Sequence, residues 1–252
     1  MNGPPRRARG AAQLLAGRHF LVTGASSGIG AAIARQLHAA GADLILMGRN
    51  RARLGRVLAA REAGGSVQCL TADFAKRSSL ASALRKLRAT PVKLSGVIHC
   101  AGAFSRARLA GSDADELGWL MRVNVDAPIF LTLALRTRLS PDSDVIFVNS
   151  SIVHRPAIDA ACYAATKHAL RSLSDSLREE WNDRGVRVTS LFPGRTATPM
   201  QRDITRAEGR RYDPGTLIQP SDIGAMVVGL LALPRTIEVT DVYMRPRQRP
   251  RT

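Results

Sequence analysis

Short runs rich in Val, Ile, Leu and Phe alternate along almost the whole chain with longer amphipathic stretches. HFLVTG (19–24), DLILMG (43–48), SVQCLTA (66–72), SGVIHC (95–100), DVIFVNS (144–150), VRVTSLF (186–192) and IEVTDVYM (237–244) read as strands. Residues 28–40, 50–63, 76–89, 113–138, 161–184 and 221–232 read as helices between them. The strands are nearly continuous in apolar residues, as strands covered on both faces are. This alternation predicts an α/β domain: a doubly wound parallel sheet of about seven strands with helices on both faces. No internal linker or repeat divides it. The expected organisation is a disordered basic tail at 1–16, one domain over 17–244 and a second basic tail at 245–252.

TGASSGIG (23–30) follows the first strand and opens the first helix. Gly24, Gly28 and Gly30 allow a tight turn, close approach of backbone to a pyrophosphate, and close packing of helix on sheet. The helix N-terminus adds unpaired N–H groups and a positive dipole end. The expected contacts of this loop are Thr23, Gly24, Ser26, Ser27, Gly28, Ile29 and Gly30. The second strand runs into Arg49, Asn50 and Arg51. An acid there would bind the 2′-hydroxyl of NAD, whereas a basic residue suits the 2′-phosphate of NADP. Arg49, with Asn50 beside it, therefore points to NADP(H). Asp73, followed by Phe74, ends the third strand. It either meets an adenine amino group or caps the next helix.

Tyr163 and Lys167 lie four positions apart in the stretch 161–184, so they share a helix face. A fixed ammonium favours the phenolate and lowers the phenol from its usual pKa of ~10. A phenol tuned in this way gives a proton to a carbonyl oxygen or takes one from an alcohol. Ser150 or Ser151, in VNSS, offers a neutral hydroxyl to hold that oxygen.

TGASSGIG, HCAG (99–102), RVNV (122–125), NSS (149–151), YAATK (163–167) and PGRTAT (193–198) occur in one order. Together they resemble the short-chain dehydrogenase/reductase family over roughly residues 17–244. The resemblance implies a Rossmann-type sheet and a tetrad of Asn124, Ser151, Tyr163 and Lys167. Tyr163 would be the acid/base, and Lys167 would tune it and bind the nicotinamide ribose. Asn124 would hold a water of a proton relay. Ala101 and Gly102 would turn against the cofactor, with Pro193, Gly194, Thr196 and Thr198 at the nicotinamide. Ser150 stands 13 residues before Tyr163, a common family spacing. Ser151 fits the NSS position and is preferred, with one residue deleted from the following loop. His99 and Cys100 replace two amides usual in the family, and His99 reads as a packed structural residue.

The implied activity is NADP(H)-dependent interconversion of a ketone or aldehyde with an alcohol. A non-catalytic NADP-binding sensor on the same fold is the alternative. The ending VTDVYMRPRQRPRT is similar to the 3-hydroxy-acid and serine dehydrogenase branch. The family also implies a homodimer or homotetramer built on the helices at 113–138 and 161–184.

The net charge is +17, and seven arginines lie in the two tails. Such a chain attracts phosphates. The excess is spread, however, with only Lys76, Lys86, Lys93 and Lys167 as lysines and no nucleic-acid motif, so no specific nucleic-acid partner is expected. Cys69, Cys100 and Cys162 form no ligand cluster, which predicts no metal and a reducing compartment. No run has the length of a bilayer span, and the first apolar run is too short for a signal peptide. The expectation is a cytoplasmic protein with no membrane partner and a small carbonyl or alcohol substrate. Residues 193–220 break the alternation after a strand, so about 195–216 read as a polar substrate lid. Its Arg202, Arg206, Arg210 and Arg211 outnumber Asp203, Glu208 and Asp213, a balance that could suit an anionic substrate, although exposed arginines are usually solvated.

Overall fold

A computed structural model of the chain describes residues 14–58, 65–89, 91–154 and 158–248. Its strands are β1 (His19–Thr23), β2 (Asp43–Gly48), β3 (Val67–Thr71), β4 (Leu94–His99), β5 (Leu139–Val148), β6 (Arg187–Pro193) and β7 (Asp241–Met244). They form one sheet in the order β3-β2-β1-β4-β5-β6-β7, and every pairing is parallel. The helices are α1 (Gly28–Ala39), α2 (Arg51–Arg56), α3 (Arg77–Arg88), α4 (Ala114–Met121), α5 (Ala127–Leu135), α6 (Ala161–Trp181), α7 (Pro199–Ala207) and α8 (Pro220–Ala232). This is the Rossmann-type doubly wound fold that the strand–helix alternation predicts.

The period-2 alternation of a strand explains the two cores. Leu21, Val97, Val145 and Phe147 face one way and pack with Leu84, Leu131, Leu170 and Leu177 of α3, α5 and α6. Phe20, Val22, Leu46 and Ile98 face the other way and pack with Ile33, Leu37, Val227 and Leu231 of α1 and α8. The strand order reverses between β1 and β4, so a crevice opens at their carboxyl ends.

Several expected boundaries change. The single helix expected over 113–138 is α4, a π-helical turn at Arg122–Asp126, and α5. Pro128 has no N–H to return to the carbonyl four residues back, and the helix widens just before it. β5 begins at Leu139 because the ladder shifts register between Leu94 and Gly96, with Asp142 at φ 62°. β7 is confined to Asp241–Met244. α2 closes at Arg56, and the expected residues 59–63 lie outside the described ones.

The lid contains a helix. Thr198 accepts from the Gln201 N–H and Pro199 starts α7, whose apolar residues recur at Met200, Ile204 and Ala207. Polar composition had hidden this amphipathic pattern. At the N-terminus, Leu15 is fully buried and its N–H donates to Ala40 O at 2.8 Å, so the folded domain starts before residue 17. The basic stretches at 1–13 and 249–252 lie outside the described residues. Among the described residues no helix is long and apolar enough to cross a membrane, and no cluster of His, Cys, Asp and Glu could hold a metal ion.

Candidate active site

The carboxyl ends of β1, β4, β5 and β6 border one cleft of about 930 Å³. Backbone chemistry shapes its first half. Gly24 has φ 65°, and a Cβ there would lie 2.7 Å from the Ala101 Cα. A Cβ on Gly30 would lie 2.5 Å from the Gly24 carbonyl oxygen. Only glycine lets these turns touch. Thr23 is buried, and its Oγ1 accepts from the N–H groups of Cys100 (3.1 Å) and Ala101 (3.2 Å). It therefore braces the HCAG turn from below and does not line the cleft, contrary to its expected contact role.

Ser26, Ser27, Gly28, Ile29 and Gly30 line the cleft at the start of α1, with Arg49 across from them at the end of β2. Ser27 is the extended N-cap of α1 but makes no side-chain cap, and the first turn holds no acid. The helix end thus keeps its positive potential for a ligand. An uncapped N-terminus with an exposed arginine nearby fits a phosphate-bearing molecule. Asn50 is committed elsewhere: its Oδ1 accepts from the Arg53 N–H at 2.9 Å and caps α2, away from the cleft. Asp73 and Phe74 do line it. The Asp73 Oδ1 accepts from the Ala75 N–H at 3.0 Å, whereas the α3 N-cap is Lys76. Asp73 therefore shapes the preceding turn and is not the cap.

The second half of the cleft contains Tyr163 and Lys167, one turn apart on α6. The Lys167 Nζ lies 5.8 Å from the Tyr163 ring centre and donates to Val148 O at 3.1 Å. Burial pushes Lys167 down to about 8. Burial pushes the Tyr163 phenol up, and a hydrogen bond from Ser150 acts against that rise. The expected net lowering of the phenol by Lys167 is therefore corrected, because desolvation outweighs the other influences here.

The Ser150 hydroxyl lies near enough to the phenol to oppose its rise. Ser151 begins the 3-10 turn Ser151–His154 and also lines the cleft. The 13-residue spacing needs no loop deletion. Asn149 secures this geometry: its Oδ1 accepts from the Ser150 N–H at 2.9 Å and its Nδ2 donates to Lys167 O at 3.2 Å. Its position inside VNSS was the only sequence signal for that role.

Asn124 lies in the π turn, beneath the floor of the cleft. Its Oδ1 accepts from the Ala103 N–H (2.8 Å), and its Nδ2 donates to Ala103 O (3.0 Å) and Thr166 Oγ1 (3.0 Å). The amide clamps the loop after β4 to α6. His99 is packed as expected. It stacks on Phe147 at 5.0 Å, its Nε2 lies 2.7 Å from Thr132 Oγ1, and burial holds it down at about 3. Cys100 lines the cleft, and burial pushes its thiol far up. Ala101, Gly102, Pro193, Gly194, Thr196 and Thr198 line the cleft.

Sequence reasoning missed the walls beyond Tyr163. Phe104 meets the Tyr163 ring edge-on at 5.0 Å. Arg106 donates to Ala207 O at 2.5 Å and to Asp159 Oδ2 at 3.1 Å. Arg195 grips Glu208 through two bonds of 2.8 and 2.6 Å. These contacts fasten α7 over the cleft.

The short chain dehydrogenase family pattern matches residues 18–209. An uncharacterized oxidoreductase of Staphylococcus epidermidis is 29% identical over 228 residues, 90% of this chain and 96% of its own. A solved short chain dehydrogenase from Salmonella enterica is 30% identical, with a TM-score of 0.84 over 94% of this chain and 98% of that one. A solved Escherichia coli chain complexed with NADPH is 29% identical, with a TM-score of 0.83 over 92% of this chain and 98% of that one.

Proposed function

The chain belongs to the short-chain dehydrogenase family of oxidoreductases, and on that premise we propose that it interconverts a ketone or aldehyde with an alcohol using NADP(H). One observation carries the reading. The Tyr163 phenol, bonded by Ser150 and backed by Lys167, shares a cleft with the uncapped start of α1. NADPH in the Escherichia coli relative supports the choice of cofactor.

The α1 amides would hold the pyrophosphate, Arg49 and Ser26 the 2′-phosphate, and Lys167 the nicotinamide ribose. Ala101, Gly102, Pro193, Gly194, Thr196 and Thr198 would border the rest. A nicotinamide bound there would supply or accept the hydride. Tyr163, an acid at neutral pH like any phenol, gives its proton to the carbonyl oxygen in reduction and recovers it from the alcohol in oxidation. The Lys167 charge favours the phenolate that forms. Ser150 holds the substrate oxygen beside the phenol, in the role first given to Ser151. Asn124 acts through the Ala103 loop as a positioning residue. Exposed Leu117, Leu133 and Leu173 on α4, α5 and α6 support the homo-oligomer implied by the family.

The test is a fluorescence titration of the full chain with NADPH and with NADH, followed by turnover of carbonyls read from nicotinamide absorbance. NADPH should bind at least about tenfold more tightly, and Arg49→Ala should erase that preference. Equal affinities in the wild type would sink the 2′-phosphate reading. Binding without turnover of any carbonyl would sink the enzymatic one.

A further inference from the structure

Among the described residues, eight charged side chains line the cleft, and two of them, Arg49 and Asp73, stand at the β2 and β3 ends. The other six border the half that contains Tyr163: Arg106, Lys167 and Arg195 against Asp159, Asp203 and Glu208. Three cations thus face three carboxylates. Two cations are already satisfied internally. Arg195 is held by both oxygens of Glu208, and Arg106 by Asp159 and the last carbonyl of α7. Arg108 adds a second guanidinium to Asp159 at 3.5 Å. Lys167 is committed to Val148 O and stands beside the phenol. The lid arginines Arg202, Arg206, Arg210 and Arg211 do not line the cleft, in keeping with solvated surface charges. The period of α7 puts Met200, Ile204 and Ala207, together with Asp203, along the cleft and leaves Arg202 and Arg206 off it.

Apolar side chains make up much of the remaining wall. Phe104, Trp119, Val123, Ile152, Met200 and Ile204 surround the space beside Tyr163. Outside it, Leu109 and Ile158 are 70% and 73% exposed, next in sequence to the paired Arg108 and Asp159. A substrate carboxylate entering here would meet the Asp203 carboxylate and compete with Asp159 or Glu208 for an arginine already engaged. An aromatic or branched apolar group faces no such competition.

We infer that the substrate is a neutral carbonyl compound, or its alcohol, bearing an aryl-sized apolar group that packs between Phe104, Trp119 and the inner face of α7. The Arg106–Asp159 and Arg195–Glu208 pairs act as lid fasteners that also exclude anions. This inference rests on the reading of the site as a carbonyl reductase.

The experiment compares acetophenone with 4-acetylbenzoate, the same skeleton carrying a carboxylate, in NADPH-dependent reduction by the full chain. Butane-2,3-dione serves as a small reference carbonyl. The neutral ketone should have a kcat/KM at least about 30-fold higher. Asp159→Asn, which frees Arg106 from its internal anion, should narrow that ratio by about fivefold. Equal or better turnover of the carboxylate by the wild type overturns the inference. So does an unchanged ratio in Asp159→Asn. Reduction of the dione with no turnover of acetophenone overturns the substrate class alone. Failure of all three carbonyls in a chain that binds NADPH overturns the carbonyl-reductase reading as well.

Discussion

Arginine–carboxylate pairs occupy both ends of this sheet, and they do different work. At the amino ends, Asp144 of β5 is buried and touches Arg187 (2.7 Å), Arg18 (3.0 Å) and Arg235 (3.2 Å). Asp144 and Arg187 are register partners on adjacent strands. Arg187 also donates to the carbonyls of Leu230, Leu233, Pro234 and Ile237, and Arg18 to that of Leu231. The cluster therefore closes the C-terminal end of α8, where cations are favoured. At the carboxyl ends, Arg106–Asp159 and Arg195–Glu208 join loops to one another and to α7, and they are more exposed. Strand-borne charges in register cannot separate without breaking the sheet. Loop-borne charges can separate to admit a ligand. The first cluster is placed to serve stability and the second, on the proposed reading, to serve function; four predictions probe the two ends of the sheet that this division separates.

The largest effect is expected at the carboxyl end. Tyr163→Phe should lower kcat by roughly 10³-fold or more while the melting temperature and NADPH affinity hold nearly constant. Retained turnover would remove the proton-transfer role. The converse belongs to Asp144. Asp144→Ala leaves three guanidiniums without their shared anion and should cost about 3 kcal/mol or more. Calorimetry should show a melting point lower by roughly 6–12 °C. NADPH affinity of the folded fraction should not follow it, and a parallel loss of affinity would break the division.

Next come the serines. Ser150→Ala should lower kcat/KM by about 10²-fold, and Ser151→Ala by less than about threefold, in steady-state turnover. The reverse order would restore Ser151 to the catalytic role. The smallest effect concerns His99, which burial holds at about 3 against an ordinary 6.5. Between those pH values the unfolded chain takes up a proton that the folded chain refuses, so stability falls as the solution is acidified. From pH 6.5 to 4.5 the wild type should lose roughly 2 kcal/mol more than His99→Asn, read by denaturant titration. Identical acid profiles would show that His99 does not remain neutral in the folded state.

The sequence by itself determined the seven-stranded parallel sheet, the glycine turn and the pairing of Tyr163 with Lys167. Each depends on a local period: alternation along a strand, a turn that only glycine fits, or positions one helical turn apart. Tertiary structure alone decided what depends on distant neighbours. Ser150 reached the phenol because Asn149 fixes the backbone against α6. Thr23 and Asn50 were drawn from the expected cofactor contacts into bracing the HCAG turn and capping α2. The phenol rises because desolvation, which no spacing reports, outweighs the hydrogen bond from Ser150. Arg106 meets Asp159 from 53 residues away. No linear count of charges could reveal that pairing, because electrostatic balance in a cleft depends on which charges touch.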